Sequence, residues 1–148
     1  MRDYPLDFAW IEVTRKCNMA CPFCYESSSP SCEERMSFDE FTTDPINCLA
    51  ATRVLQISIE AIIDTANHII AREGLGIPKT YQEAIGLLIA NGYLPKEKEN
   101  NYRNMIKFRN RVVHLYEEVD EKEVYRIIIY NLDDFTDFIR VMVERYFR

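Results

Sequence analysis

The strongest constraint on this chain is a change of periodicity near residue 46. From there on, apolar residues recur at three- and four-residue spacing, and Leu55, Ile59, Ile62, Ala66 and Ile69 trace one face of an amphipathic helix. That helix is expected to stop near Gly74 and Gly76, with Pro78 beyond. Thr80 suits the N-cap of a short helix, Tyr81 to Ala90, ended by Asn91-Gly92. A third helix is expected from about Lys96 to Glu118. Asp120 then caps a last one, in which Val124, Ile128, Leu132, Phe135, Ile139, Met142 and Tyr146 form one apolar stripe. With only 4 Gly and 6 Pro in 148 residues, a turn-rich β-sandwich is disfavoured, and the chain is too short for a (β/α)8 barrel of roughly 250 residues. Long helices joined by short turns pack antiparallel, so the expected fold is an all-α helical bundle spanning 46–148.

Residues 1–45 have a different texture. They hold four of the five cysteines and the run Ser27-Ser28-Ser29-Pro30-Ser31, and no helix of useful length is expected there. Phe8-Ala9-Trp10-Ile11-Glu12-Val13 reads as a single short strand followed by an irregular loop. That loop spaces Cys17, Cys21 and Cys24 as C-x-x-x-C-x-x-C, and three close thiolates can hold three irons of a [4Fe-4S] cluster while leaving the fourth open. With Thr14-Arg15-Lys16 before it and Tyr25 after it, the segment resembles the start of the radical S-adenosylmethionine (radical SAM) enzymes over about residues 8 to 30. The Gly-rich motif that follows the second strand in that family is missing. The stretch therefore reads as a radical-SAM-like fragment, not an independent domain, with its cysteines free or adventitiously metallated. A bound iron-sulfur cluster or Zn at Cys17, Cys21 and Cys24, with Cys32 as a fourth ligand, is the alternative.

The formal charge of −6 repels polyanions, so any nucleic-acid contact must come from a local basic patch. Between 101 and 116 there are four basic residues and no acid. On a helix, Arg103, Lys107, Asn110 and His114 share one stripe, whereas Met105, Val112 and Tyr116 share the opposite, apolar face, with Arg109 amid it. A guanidinium there is costly unless it stands at a cleft or is paired, for instance with Asp64. Metal-free RNA cleavage needs a group titrating near neutrality to move the 2′-hydroxyl proton and a fixed cation for the phosphorane; His114 and Arg109 are those types. Asn110 can orient either imidazole or phosphate. Five residues separate Arg109 from His114 by about 140°, so they converge only if the helix ends or distorts near Val113, or if a second subunit completes the site. His68 reads as structural. No run approaches the ~18 apolar residues of a membrane span, and no basic leader opens the chain, so a cytoplasmic protein is expected.

Arg109-x-x-x-x-His114-x-Tyr116 resembles the R-x-x-x-x-H-x-Y signature of the HEPN superfamily, in its branch of HepT-like toxins. Leu55-Gln56, Ile59-Glu60, Asp64 to Ile70, Gly76-Ile77-Pro78 and Met105 to Asn110 are similar to successive family segments, so the resemblance covers about 38 to 148. It implies a bundle that dimerises with two motifs facing one cleft, and a metal-independent endoribonuclease acting on RNA, with tRNA a candidate. It also implies a partner, a minimal nucleotidyltransferase antitoxin (MntA-like) that adds AMP to Tyr116. Arg109, Asn110 and His114 would then be catalytic, with Arg103, Lys107 and Arg111 on the RNA and no cofactor required. The family has a further helix before the one starting near Ile46, where this chain has the cysteine fragment. The rival readings are a non-catalytic HEPN module that binds a nucleotidyltransferase or nucleotide and, more remotely, an iron-sulfur protein.

Overall fold

The computed structural model describes residues 36–114 and 119–147. The strand expected at Phe8 to Val13 and the loop of Cys17, Cys21, Cys24 and Cys32 lie outside the described residues. Among those described, all regular structure is helical: α1 (Phe38–Thr43), α2 (Pro45–Glu73), α3 (Tyr81–Ala90), α4 (Glu99–His114), α5 (Glu121–Tyr130) and α6 (Asp133–Tyr146).

α2 is the spine of the bundle. Asp44 caps it by accepting a hydrogen bond from the Ile46 amide at 2.9 Å, and Pro45 occupies the first turn, where its missing N–H costs nothing. Gly74 ends it at φ 64, a left-handed conformation that glycine adopts without Cβ strain, and its N–H returns to the Ile70 carbonyl. One face, Leu55, Ile59, Ile62, Ala66 and Ile69, is buried as the spacing requires, against α3, α4 and α5. By length and composition alone α2 could cross a membrane, although no unbroken apolar run of that length exists; its apolar residues supply the central wall of the core. Thr80 caps α3 through the Glu83 amide at 3.1 Å, as expected. His68 is solvent-exposed on α2.

Three expectations need correction. The stretch before residue 46 does carry a helix. Ser37 and Glu40 cap α1 reciprocally, with the Ser37 amide donating to Glu40 Oε2 at 2.8 Å. α1 places Phe41, fully buried, against Tyr125 at a ring-centroid distance of 5.5 Å, while the Tyr125 hydroxyl donates to the Met36 carbonyl at 2.7 Å. The third helix opens with a single 3-10 turn, Lys96–Lys98, and α4 is described only as far as His114.

The last helix is two helices, because Asn131 closes α5 with its amide on the Ile127 carbonyl, and Asp133 and Asp134 open α6. The break re-registers the apolar stripe, so that Phe138 and Met142 are buried and Leu132 and Ile139 are exposed. It also turns the buried Asp134 onto Lys98 Nζ at 2.9 Å and Asn101 Nδ2 at 2.7 Å. Asp137 takes the same ammonium at 2.7 Å, which holds the Asp137 carboxyl below its usual range. This knot and the edge-on Tyr102–Phe138 pair, 5.9 Å between centroids, fasten α6 to α4.

Candidate active site

Arg109 occupies the buried side of α4 that faces α2, and its side chain is 14% exposed. A charge so placed needs a partner, and Glu60 of α2 supplies it. Nε donates to Glu60 Oε1 at 3.2 Å, and Nη2 stands 3.1 Å from the same oxygen. Gln56, one turn earlier on α2, donates to that oxygen at 3.0 Å. These bonds, Gln56 foremost and then Arg109, hold the Glu60 carboxyl below its ordinary pKa, so it is ionised at neutral pH. Pairing with an acid of another helix was one of the expectations; Asp64, the example given, is exposed one turn further along α2 and is not the partner.

On its other edge Arg109 Nη1 donates to Asn110 Oδ1 at 3.3 Å, and the guanidinium carbon lies 5.3 Å from the centre of the Tyr81 ring. Two of its five N–H groups are thus used in hydrogen bonds, which leaves donors for a second anion. Asn110 borders a cleft shared with Thr80, Tyr81 and Gln82 of the α3 N-terminus. Arg109 and Asn110 are therefore brought together. His114 is the last residue of α4, and its side chain, together with residues 115–118 and so Tyr116, lies outside the described residues. α4 keeps helical geometry through His114, so positions 109 and 114 stay about 140° apart around its axis.

The three cations expected on RNA differ in their surroundings. Arg103 Nε donates to Glu99 at 2.8 Å and Nη1 to Gln82 at 3.3 Å, and Arg111 is paired with Glu123. Lys107 is exposed and has no ion-pair partner among the described residues. Glu60, Gln56 and Tyr81 were missed as site residues. The signal for the first two was a pair of polar residues four apart, beside the core stripe of α2. Among the described residues no group of three or more His, Cys, Asp or Glu could hold a metal ion. The fifth cysteine, Cys48, is buried in the core, and burial pushes its thiol pKa up.

The family model described as Ribonuclease HepT-like matches residues 18–142. The chain belongs to that family. It is similar to the mRNA nuclease HepT of Shewanella oneidensis, 36% identical over 88 residues, or 60% of this chain and 66% of that protein. The tRNA nuclease HepT of Aphanizomenon flos-aquae is 28% identical over 107 residues, 72% of this chain and 73% of its own. A solved tri-AMPylated Shewanella oneidensis HEPN toxin in complex with an MNT antitoxin has a TM-score of 0.65 at 33% identity, covering 70% of this chain and 77% of that one. A toxin-antitoxin structure with AMP-PNP has a TM-score of 0.65 at 32% identity, covering 70% and 78%. The HepT-like bundle expected from the motif is thus the fold found, and α4 is the helix that carries R-x-x-x-x-H.

Proposed function

We propose that this HepT-like chain is a metal-independent endoribonuclease of a toxin-antitoxin pair, in which Arg109, Asn110 and His114 cut RNA. The observation that carries this reading is Arg109 itself: a cation fixed on the buried side of α4 by Glu60, with N–H groups left over and Asn110 beside it. In the reaction, neutral His114 takes the proton of a ribose 2′-hydroxyl, and the 2′-oxygen attacks the adjacent phosphorus. The bond to the 5′-oxygen breaks, and that oxygen takes up a proton. The products are a 2′,3′-cyclic phosphate and a 5′-hydroxyl. Arg109 neutralises the charge that builds on the phosphorane oxygens.

α4 neither ends nor distorts before His114, which supports a site completed by a second copy of the chain. Exposed apolar residues along the first half of α2, Ile46, Leu49, Val54 and Ile57, support a homodimer as well. The partner in this reading is a minimal nucleotidyltransferase antitoxin that transfers AMP to Tyr116, in keeping with the AMPylated toxin and MNT antitoxin of the similar structure. In this reading the bundle that does the chemistry includes α1, whose Phe41 is in the core, the cysteine-bearing sequence before α1 has no part in cleavage, and the protein is cytoplasmic. Purified protein incubated with total tRNA in EDTA, beside the His114→Ala variant, tests the reading. Cleavage that leaves cyclic phosphate and vanishes in the variant is expected. A strict Mg²⁺ requirement would sink the mechanism, and no cleavage of any RNA would favour a non-catalytic module.

A further inference from the structure

A groove of about 990 Å³ runs between α4 and the α5–α6 pair. Its floor is apolar, lined by the buried Ile59 and Phe108 and the half-buried Ile127 and Phe135. Its rim carries Lys107, Arg111 and Arg126, and two acids, Glu123 and Asp134. The acids are already occupied, Glu123 by Arg111 and Asp134 by Lys98 and Asn101. Among the described residues, Lys107 and Arg126 have no ion-pair partner, so the two acids that line the groove with them are paired elsewhere and these two cations are not. One turn after Arg126 on α5, Tyr130 lines the groove with its side chain largely in water, at 72% exposure. Asn104 and Asn131 bring amides to the same rim.

Cations with no ion-pair partner among the described residues, an exposed ring, amides and an apolar floor are together what an unstacked nucleotide needs: phosphate on the cations, base against the ring, base edges on the amides. A duplex would offer the rim its phosphates and leave the ring and floor unused. Asn110, which accepts the Arg109 hydrogen bond, also lines this groove, so it opens directly beside the motif. The geometry points to the α4/α5–α6 groove as a subsite for one unpaired RNA nucleotide next to the scissile phosphate, its base stacked on Tyr130 and its phosphate held by Lys107 and Arg126. This rests on the ribonuclease reading and adds to it a place for the base beside the scissile phosphate and two residues, Tyr130 and Arg126, that no motif marks.

The test is binding of a short fluorescent 2′-O-methyl RNA, which lacks the 2′ nucleophile and so reads affinity without cleavage, set beside the same strand in a duplex. Tyr130→Ala should raise the Kd for the single strand about 10-fold, within the range of one lost base-aromatic stack, and Tyr130→Phe should restore it. Arg126→Ala should lower the slope of log Kd against log salt by about 0.7, the loss of one phosphate contact on a single strand. Arg72→Ala, on the last turn of α2, should leave that slope alone. All three substituted residues are exposed, so circular dichroism should be unchanged.

A protein that cuts RNA but whose affinity ignores both variants overturns the subsite and leaves the ribonuclease reading standing. One that binds through Tyr130 and Arg126 but does not cut supports the subsite and overturns the catalytic reading. Neither binding nor cutting overturns both. Variants that loosen the nucleotidyltransferase and not the RNA show that the groove receives the protein partner, and the subsite falls.

Discussion

Complementation between two inactive variants tests the composite site directly. Within one α4, positions 109 and 114 are five residues apart. A regular helix sets their Cα atoms about 9 Å apart and about 140° around the axis, too divergent to meet on one phosphate. In a two-fold dimer each cleft would then combine the Arg109 of one copy with the His114 of the other. Mix equal amounts of Arg109→Ala and His114→Ala protein, and let the subunits exchange. About half the dimers become mixed, and each mixed dimer has one cleft with both groups and one with neither, so recovered activity should approach about a quarter of wild type. The assay is the initial rate of cyclic-phosphate formation from RNA in EDTA, with exchange confirmed by native mass spectrometry of differently tagged copies. Full exchange with no recovered activity would refute the trans arrangement, as would a fully active monomer.

Three further outcomes are expected. Phe41→Ala empties a site with no solvent exposure and should cost about 3–5 kcal/mol in urea unfolding, whereas a loss under about 1 kcal/mol would mean that α1 is not part of the core. Glu60→Gln should lower Tm at neutral pH. Because the folded carboxyl is held below its ordinary value of 4.5, the ionised form contributes stability above that value and loses it as pH falls through the lowered pKa; the wild-type and variant Tm curves should therefore converge in acid, and a constant gap would remove the ion pair from the account. Incubation with a cognate nucleotidyltransferase, ATP and Mg²⁺ should add AMP increments in intact mass and silence cleavage, and Tyr116→Phe should resist both; increments that persist in that variant would place the modification elsewhere.

What could be read in advance was what is local. Thr80 and Asp120 act on amides two or three residues away, so a cap is visible in a short string. The burial of Arg109 followed from its position within α4 alone. Its partner did not: Glu60 and Asp64 are four residues apart on α2, and choosing between them requires the axial register of α2 against α4, which packing decides. The break at Asn131 was hidden for a related reason. The stripe from Val124 to Tyr146 keeps its three- and four-residue spacing across it, and the contacts of Asp134 with Lys98 and Asn101, which accompany the break, join residues more than thirty positions apart. α1 was overlooked because six residues leave too short a pattern to show a period, although Ser37 and Glu40 carry the cap signature.

The Glu60–Arg109 pair has a consequence for where binding free energy is used. A guanidinium already facing a carboxylate gains little from a phosphodiester, since one monoanion merely competes with another, and small anions should bind weakly in the cleft. As the 2′-oxygen attacks, the phosphorane gathers a second negative charge, and the competition with Glu60 turns in its favour. In the proposed reaction the carboxylate thus withholds the cation from the bound substrate and yields it to the species at the top of the barrier, so that the attraction appears in kcat more than in KM.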